Sequence, residues 1–244
     1  MDENWIEHLE ELRKRLIFIA VAFIISLIIG FAFSNSLLEF LKVHYVPEQI
    51  QWNVFGFTDG FLIYFKLSFL ISLILSFPIA IYQIWAFVKP GLTEKEAKGT
   101  LLYVPLSFFL FIVGLSFSFF IVFPMTLNFM SNVNSAIGAI ETYGLQHYFT
   151  FMFNVVIPIS LVFELPVVIL FLTKLGIINP TSLKKVRKYA YFLLIVIGVT
   201  LTPPDFISDF LVIIPLILLY EISIWISAKV YKQQIKKEFI TENS

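Results

Sequence analysis

The chain has 244 residues, of which 59% are hydrophobic, 14% are charged and 29 are phenylalanine. Soluble domains average about 45–50% apolar and about 25% charged residues, so this is the composition of a chain built for lipid. Its 17 basic and 17 acidic side chains cancel, which argues against a nucleic-acid binder, and the absence of cysteine excludes disulfides, thiolate catalysis and Cys-ligated metals.

The N-terminal segment MDENWIEHLEELRKRL is charged, acidic and long, and is expected not to be a cleavable signal peptide. Leu9, Leu12 and Leu16 recur at i, i+3 and i+7, which predicts an amphipathic helix over 3–15 that enters the first apolar run. Glu7 and Glu11 share a neighbouring face, with Arg15 one turn on. The spacing allows the pairs Glu11–Arg15 and Glu10–Lys14, each worth about 0.2–0.5 kcal/mol on a helix.

Six apolar runs follow that could span a bilayer, at about 16–33, 61–88, 101–123, 149–173, 189–202 and 207–227. The fifth, ending at Pro203-Pro204, would be about 21 Å long as a helix, short of a hydrocarbon core of about 30 Å. The sixth is also modest and carries Glu221 near its end. Residues 189–227 could instead form one re-entrant hairpin, but the charges oppose that. Arg13, Lys14 and Arg15 precede the first run; Lys89, Lys95 and Lys98 follow the second. Lys174, Lys184, Lys185, Arg187 and Lys188 follow the fourth, and Lys229, Lys232, Lys236 and Lys237 the sixth. Only Lys42, and Lys66 about one turn inside the second run, fall on the other side, where Lys66 can snorkel outward. The positive-inside rule then predicts six transmembrane helices, N-in and C-in, in one integral-membrane domain over 1–244 with a cytoplasmic tail at 229–244.

The far-side loops, Ser34 to Gly60 and Pro124 to His147, mix apolar residues with Asn, Ser and Gly and are expected to form short amphipathic helices. Pro78, Pro105, Pro124, Pro158 and Pro166 predict kinked spans. No two-fold internal repeat is visible, which weighs against repeat-built secondary transporters.

The chemistry available is sparse. His8, His44 and His147 show no paired-ligand spacing, and the sequence has no GxSxG, SxxK, Walker or GxGxxG motif. Aspartate pairs inside spans, as an intramembrane protease needs, are missing too. The expectation is no enzyme, no metal and no cofactor. What remains are carboxylates at marked positions. In VKPGLTEKEAKG (88–99), Thr93 and Glu96 fit a capping box, though a box glutamate can still present an oxygen outward. Two acidic sites on one membrane face would suit a basic peptide, since guanidiniums ask for carboxylates and lysine substitutes poorly. Glu164 lies within ISLVFELPVVILFL, about 15 Å along a helix from Lys174. Insertion scales put the cost of a charge at such depth at roughly 2.5–3.5 kcal/mol. Glu164 either fixes packing as a buried, hydrogen-bonded group or is functional, as intramembrane ionisable residues are by default. In LTPPDFISD (201–209), Pro-Pro-Asp is a turn and Asp205 or Ser208 can cap the next helix, while the role of Asp209 stays open.

HLEELRKRL (8–16), SFPIAIYQIWAFVKPGLTEKE (76–96), FELPV (163–167) and LTPPD (201–205), in that order, resemble the TatC family. TatC is the multi-spanning receptor subunit of the twin-arginine protein translocase, and the likeness covers nearly the whole chain. The resemblance implies an all-α polytopic protein of the cell inner membrane, a cupped bundle whose last two spans are short. It implies recognition of twin-arginine signal peptides of folded cargo, assembly with single-span TatA and TatB partners and with further copies of itself, and transport driven by the proton-motive force. Glu11 and Glu96 fall on the family positions that receive the two arginines, with Glu10 a second acid beside the first. Arg13, Phe87 and Leu92 fall on positions linked to signal-peptide contact, and Glu164 on the intramembrane acid. Thr202 and Asp209, with Asp205 between them, fall where partner helices dock. A proton-coupled solute transporter using Glu164 is the alternative from another class, and a purely structural scaffold is the third.

Overall fold

In the computed structural model, residues 2–45, 53–138, 142–201 and 206–242 are described, with the backbone alone for 2–6, 94–96, 206–208 and 234–242. Ten α-helices account for most of these residues, and no β-strand occurs among them. They are α1 (Asp2–His44), α2 (Asp59–Val88), α3 (Glu94–Thr100), α4 (Tyr103–Phe117), α5 (Phe123–Ala136), α6 (Leu145–Val162), α7 (Leu165–Lys174), α8 (Pro180–Lys185), α9 (Arg187–Leu201) and α10 (Phe206–Glu242). Five helical stretches are long and apolar enough to cross a membrane: Glu7–His44, Asp59–Gly91, Ala97–Ala136, Leu145–Lys174 and Asp209–Gln233. The fifth expected span corresponds to α9, whose 15 residues give about 23 Å of helix.

Three expectations change in the structure. The N-terminal amphipathic segment and the first span are one helix of 43 residues, and the helix continues beyond Ser34 to His44 instead of restarting as a separate surface helix. The segment after Gly30 contains neither proline nor glycine before Pro47, and Ser34 folds its hydroxyl back onto Phe31 O (2.8 Å), so nothing stops the helix. Pro124 likewise does not end the third span. A π-helical turn over Ser118–Val122 immediately precedes it, widening the backbone where the proline lacks an N–H, and the chain continues as α5. Of the last two spans only α9 is a short helix, because α10 runs on for 37 residues.

The chain divides into two compact units, Met1–Thr93 with Ile137–Phe153, and Glu94–Ala136 with Asn154–Ser244. In the first, α1 lies along α2 at very close range: a Cβ on Gly30 would sit 2.5 Å from Ser68 O. Small residues let membrane helices approach this closely, and the buried Ser26, Ser34, Ser68, Ser72 and Ser76 extend the contact. Ser68 and Ser72 bond back to Tyr64 O (2.7 Å) and Ser68 O (2.6 Å), so their hydroxyls carry no unmet cost in lipid. At the N-terminal end of α2, Asp59 Oδ2 accepts from Phe55 N (3.0 Å) and Gly56 N (2.8 Å), and Leu145 N donates to Asn53 O (2.9 Å). Ile63, Leu67 and Phe149 are buried here.

In the second unit, Phe111, Val122, Val155, Ile159, Val212 and Leu216 are fully buried. A Cβ on Gly114 would lie 2.9 Å from the Phe163 side chain and 3.0 Å from Ser160 Cα. This is the same device of one small residue at a helix crossing. Ser118 bridges that crossing, donating to Gly114 O (2.7 Å) and Val156 O (3.2 Å). Thr173 and Ser227 meet at 2.7 Å, and Tyr220 OH donates to Leu183 O (2.9 Å), tying α10 to α7 and α8. Two residues past the end of α7, Gly176 takes a φ of 72°, open to glycine at low cost.

Candidate functional site

The first candidate site lies at the N-terminal end of α1. Both pairs expected from spacing form: Lys14 Nζ is 3.0 Å from Glu10, and Arg15 donates to Glu11 Oε1 from NH2 (2.6 Å) and Nε (3.0 Å). Arg15 NH1 also reaches Gln83 Oε1 on α2 (3.1 Å), a cross-helix bond that a helical period cannot reveal. Glu11 therefore already holds a guanidinium through one oxygen, and Oε2 takes no hydrogen bond among the described residues. One turn before Glu11, His8 stacks on Phe87 with ring centroids 4.5 Å apart. Arg13 is exposed, and Leu92 is half-buried just after the 3₁₀ turn Lys89–Gly91.

The second site is built around Glu164. Pro166 cannot donate to Val162 O, so the helix breaks at Phe163–Glu164 and restarts with the proline in its first turn, where a missing N–H costs nothing. The break brings Glu164 inward to 9% exposure. Ser107 of α4 donates its hydroxyl to Glu164 Oε2, while Oε1 is buried with no hydrogen-bond partner among the described residues. Such a carboxyl can accept a donor from another molecule or hold a proton.

The third cluster joins α9 to α10: Arg187 NH2 donates to Glu221 Oε2 (2.9 Å) and Tyr191 OH donates to Oε1 of the same carboxylate. Arg187 and Glu221 are 34 residues apart, so no local spacing announces the pair. Their side chains are 41% and 36% exposed, so a double-mutant cycle with Arg187→Leu and Glu221→Leu, read by thermal unfolding, should give a coupling of no more than about 1 kcal/mol. A coupling of several kcal/mol would mean that this pair, and not apolar packing, holds α9 on α10.

A family model described as TatC, Sec-independent protein translocase protein, matches residues 7–215. The chain belongs to the TatC family. This TatC chain is 44% identical over 237 residues to the Sec-independent protein translocase protein TatC of Halalkalibacterium halodurans, covering 97% of this chain and 94% of that one. It is 43% identical over 231 residues to TatCy of Bacillus subtilis, covering 95% and 91%. A crystal structure described as the twin arginine translocase receptor TatC in DDM superposes with a TM-score of 0.80 at 33% identity, over 90% of this chain and 99% of that one. The TatC chain is thus a membrane protein and a component of a protein translocase, a transport subunit and not an enzyme.

Not every residue singled out in the sequence can be followed in this TatC chain. Glu96 is helical, in α3, which begins at Glu94 directly after Thr93 as the capping box requires, but its side chain lies outside the described residues. Thr202 and Asp205 lie outside them altogether. Asp209 sits in the first turn of α10, where an acid complements the helix dipole. Reading the sequence missed Gln83, Ser107 and the partnership of Arg187, Tyr191 and Glu221. Only a polar residue on an otherwise apolar span hinted at Ser107.

Proposed function

We propose that this TatC family member is the receptor and core subunit of a twin-arginine translocase. It binds the paired arginines of signal peptides on folded cargo at its cytoplasmic face and nucleates assembly with single-span TatA- and TatB-type subunits. Its 244 residues form one integral-membrane domain of six spans in the cell inner membrane, both termini cytoplasmic. The distribution of lysine and arginine supports this orientation, since all but Lys42 and Lys66 fall on one side. α9 serves as the fifth span by thinning the bilayer around it or sheltering among longer helices.

In this reading Glu11 and Glu96 receive the arginines, with Glu10 adding negative potential and Arg13, Phe87 and Leu92 contacting the peptide around them. The observation that carries it is Glu11 with a guanidinium on Oε1 and Oε2 open to a second. Lysine, a point charge without the planar fork, substitutes poorly at such a site. The apolar stretch of the signal then enters the bilayer near Glu164, and partner helices dock along the fifth and sixth spans at Thr202, Asp205 and Asp209. The proton-motive force drives transport.

Binding of a labelled Arg-Arg signal peptide and its Lys-Lys counterpart to the purified protein tests the reading. The wild type should prefer Arg-Arg by about tenfold or more, the worth of one charge-assisted hydrogen bond. In Glu11→Gln/Glu96→Gln that preference should collapse. Equal binding of both peptides to the wild type, or an unchanged preference in the double variant, would return these glutamates to a role as helix surface and cap.

A further inference from the structure

Gln83 is the one amide in IAIYQIWAF (79–87), half-buried near the C-terminal end of α2. An amide in such surroundings is costly unless it is hydrogen-bonded. Its Oε1 accepts from Arg15 NH1 on α1 (3.1 Å). The same guanidinium gives Nε (3.0 Å) and NH2 (2.6 Å) to Glu11 Oε1. An arginine and a carboxylate left to themselves favour two parallel bonds, one to each oxygen. Arg15 departs from that pattern: both of its bonds fall on Oε1, and Oε2 takes none among the described residues.

The departure has a cause on the other helix. An i,i+4 ion pair on a helix surface contributes only about 0.2–0.5 kcal/mol, too little to hold two long side chains in one geometry against their rotamer entropy. Gln83 adds an anchor that does not move with α1. With NH1 held there, the guanidinium is tied at all three of its nitrogens and drawn toward α2. The stacking of His8 on Phe87, with centroids 4.5 Å apart, ties the first turns of α1 to the end of α2 and keeps Gln83 in register with Arg15. Without the NH1 bond, nothing holds the guanidinium off Oε2. It would slide into the two-oxygen geometry and close the carboxylate to any other arginine.

We propose that Gln83 is a positioning residue for signal-peptide recognition: it holds Arg15 on one oxygen of Glu11, so that the other stays open to an arginine of the peptide. Arg15 is in this sense an internal competitor for Glu11, kept aside by a neutral acceptor on α2. The inference rests on the reading of Glu11 as an arginine acceptor.

Titration of a labelled Arg-Arg signal peptide onto the purified full-length protein in detergent tests this. Gln83→Met, of similar length but with no acceptor oxygen, should weaken binding about tenfold, the worth of one charge-assisted hydrogen bond. Gln83→Glu keeps the acceptor and should bind at least as tightly as wild type. The deciding variant is Gln83→Met/Arg15→Met, in which the competitor is gone and the affinity should recover to the wild-type level or beyond. If Gln83 does no more than tie α1 to α2, the double variant binds as poorly as Gln83→Met or worse, and the proposal is overturned. Wild-type affinity in Gln83→Met overturns it as well. Should Gln83→Met not fold, Arg15→Met alone carries the test: it should bind the peptide more tightly than wild type, and weaker or equal binding sinks the idea. The underlying reading fails in a different way. If the wild type does not prefer Arg-Arg to Lys-Lys and Glu11→Gln leaves the affinity unchanged, Glu11 is not the acceptor and the role of Gln83 falls with it. A selective wild type with an indifferent Gln83→Met strikes Gln83 alone.

Discussion

Glu164→Leu is expected to reduce export of a folded reporter bearing a twin-arginine signal to below about one-tenth of wild type while leaving the protein at least as stable. The two halves of this result have one cause. A buried carboxyl with one oxygen on Ser107 and the other unpartnered is a cost to the fold, on the order of 1–3 kcal/mol for an unsatisfied buried polar group. An isosteric apolar side chain removes that cost, as replacements of buried polar groups by hydrophobes commonly do. If the carboxyl is kept for a donor that arrives during transport, its loss forfeits a charge-assisted hydrogen bond worth about 1.5–3 kcal/mol, a factor of ten to a hundred. Glu164→Gln keeps an acceptor and should fall between leucine and wild type. Ser107→Ala, which frees Oε2 without removing the acceptor, should lower export only a few-fold. Thermal unfolding in detergent and export in cells whose own receptor gene is deleted would be measured side by side. Full export by the leucine variant would leave Glu164 a packing residue, and a leucine variant that unfolds well below wild type would mean the carboxyl is satisfied in the folded protein.

Gly30→Val should lower the unfolding temperature by roughly 6–12 °C, the equivalent of about 3 kcal/mol for a chain of this size. Overpacking costs about 1–3 kcal/mol when neighbours can yield. At Gly30 the new Cβ would meet the Ser68 carbonyl oxygen at 2.5 Å and Ser68 Cα at 3.1 Å, both backbone atoms of a long helix. Relief would require separating α1 from α2, which would open the contact carried by Ser26, Ser34, Ser68 and Ser72. It would also disturb Arg15 on Gln83 and His8 on Phe87, so signal-peptide binding should weaken in the same variant. Gly99→Ala is the control, because nothing lies within 4 Å of a Cβ there, and alanine in a helix should be neutral or stabilising by about 0.5–1 kcal/mol. Equal unfolding temperatures for Gly30→Val and Gly99→Ala would show that α1 and α2 are free to separate at no cost.

The membrane character, the positions of the apolar runs and the ion pairs at the N-terminus were legible without a structure, because each rests on composition or on a spacing of three to four residues. Glu11–Arg15 and Glu10–Lys14 are i,i+4 pairs, and a helical period is enough to place them. Glu164 stood out because a carboxylate in an apolar run is expensive wherever it points. Helix ends were less legible. Proline was read as a kink or a stop, yet Pro124 is absorbed by a π turn and Pro166 breaks the helix two residues earlier, at the glutamate that the break turns inward.

The sequence by itself determined that this is a helical membrane protein with a few costly polar groups, since hydrophobic free energy and backbone hydrogen bonding in lipid allow little else for such a composition. Only the tertiary structure decided what each polar group touches. Ser107 meets Glu164, Lys66 meets Thr150 and Arg187 meets Glu221 across separations of 57, 84 and 34 residues. Those meetings depend on which helices cross at their small residues and at what height, quantities set by interdigitating side chains over the whole unit and not by any local period.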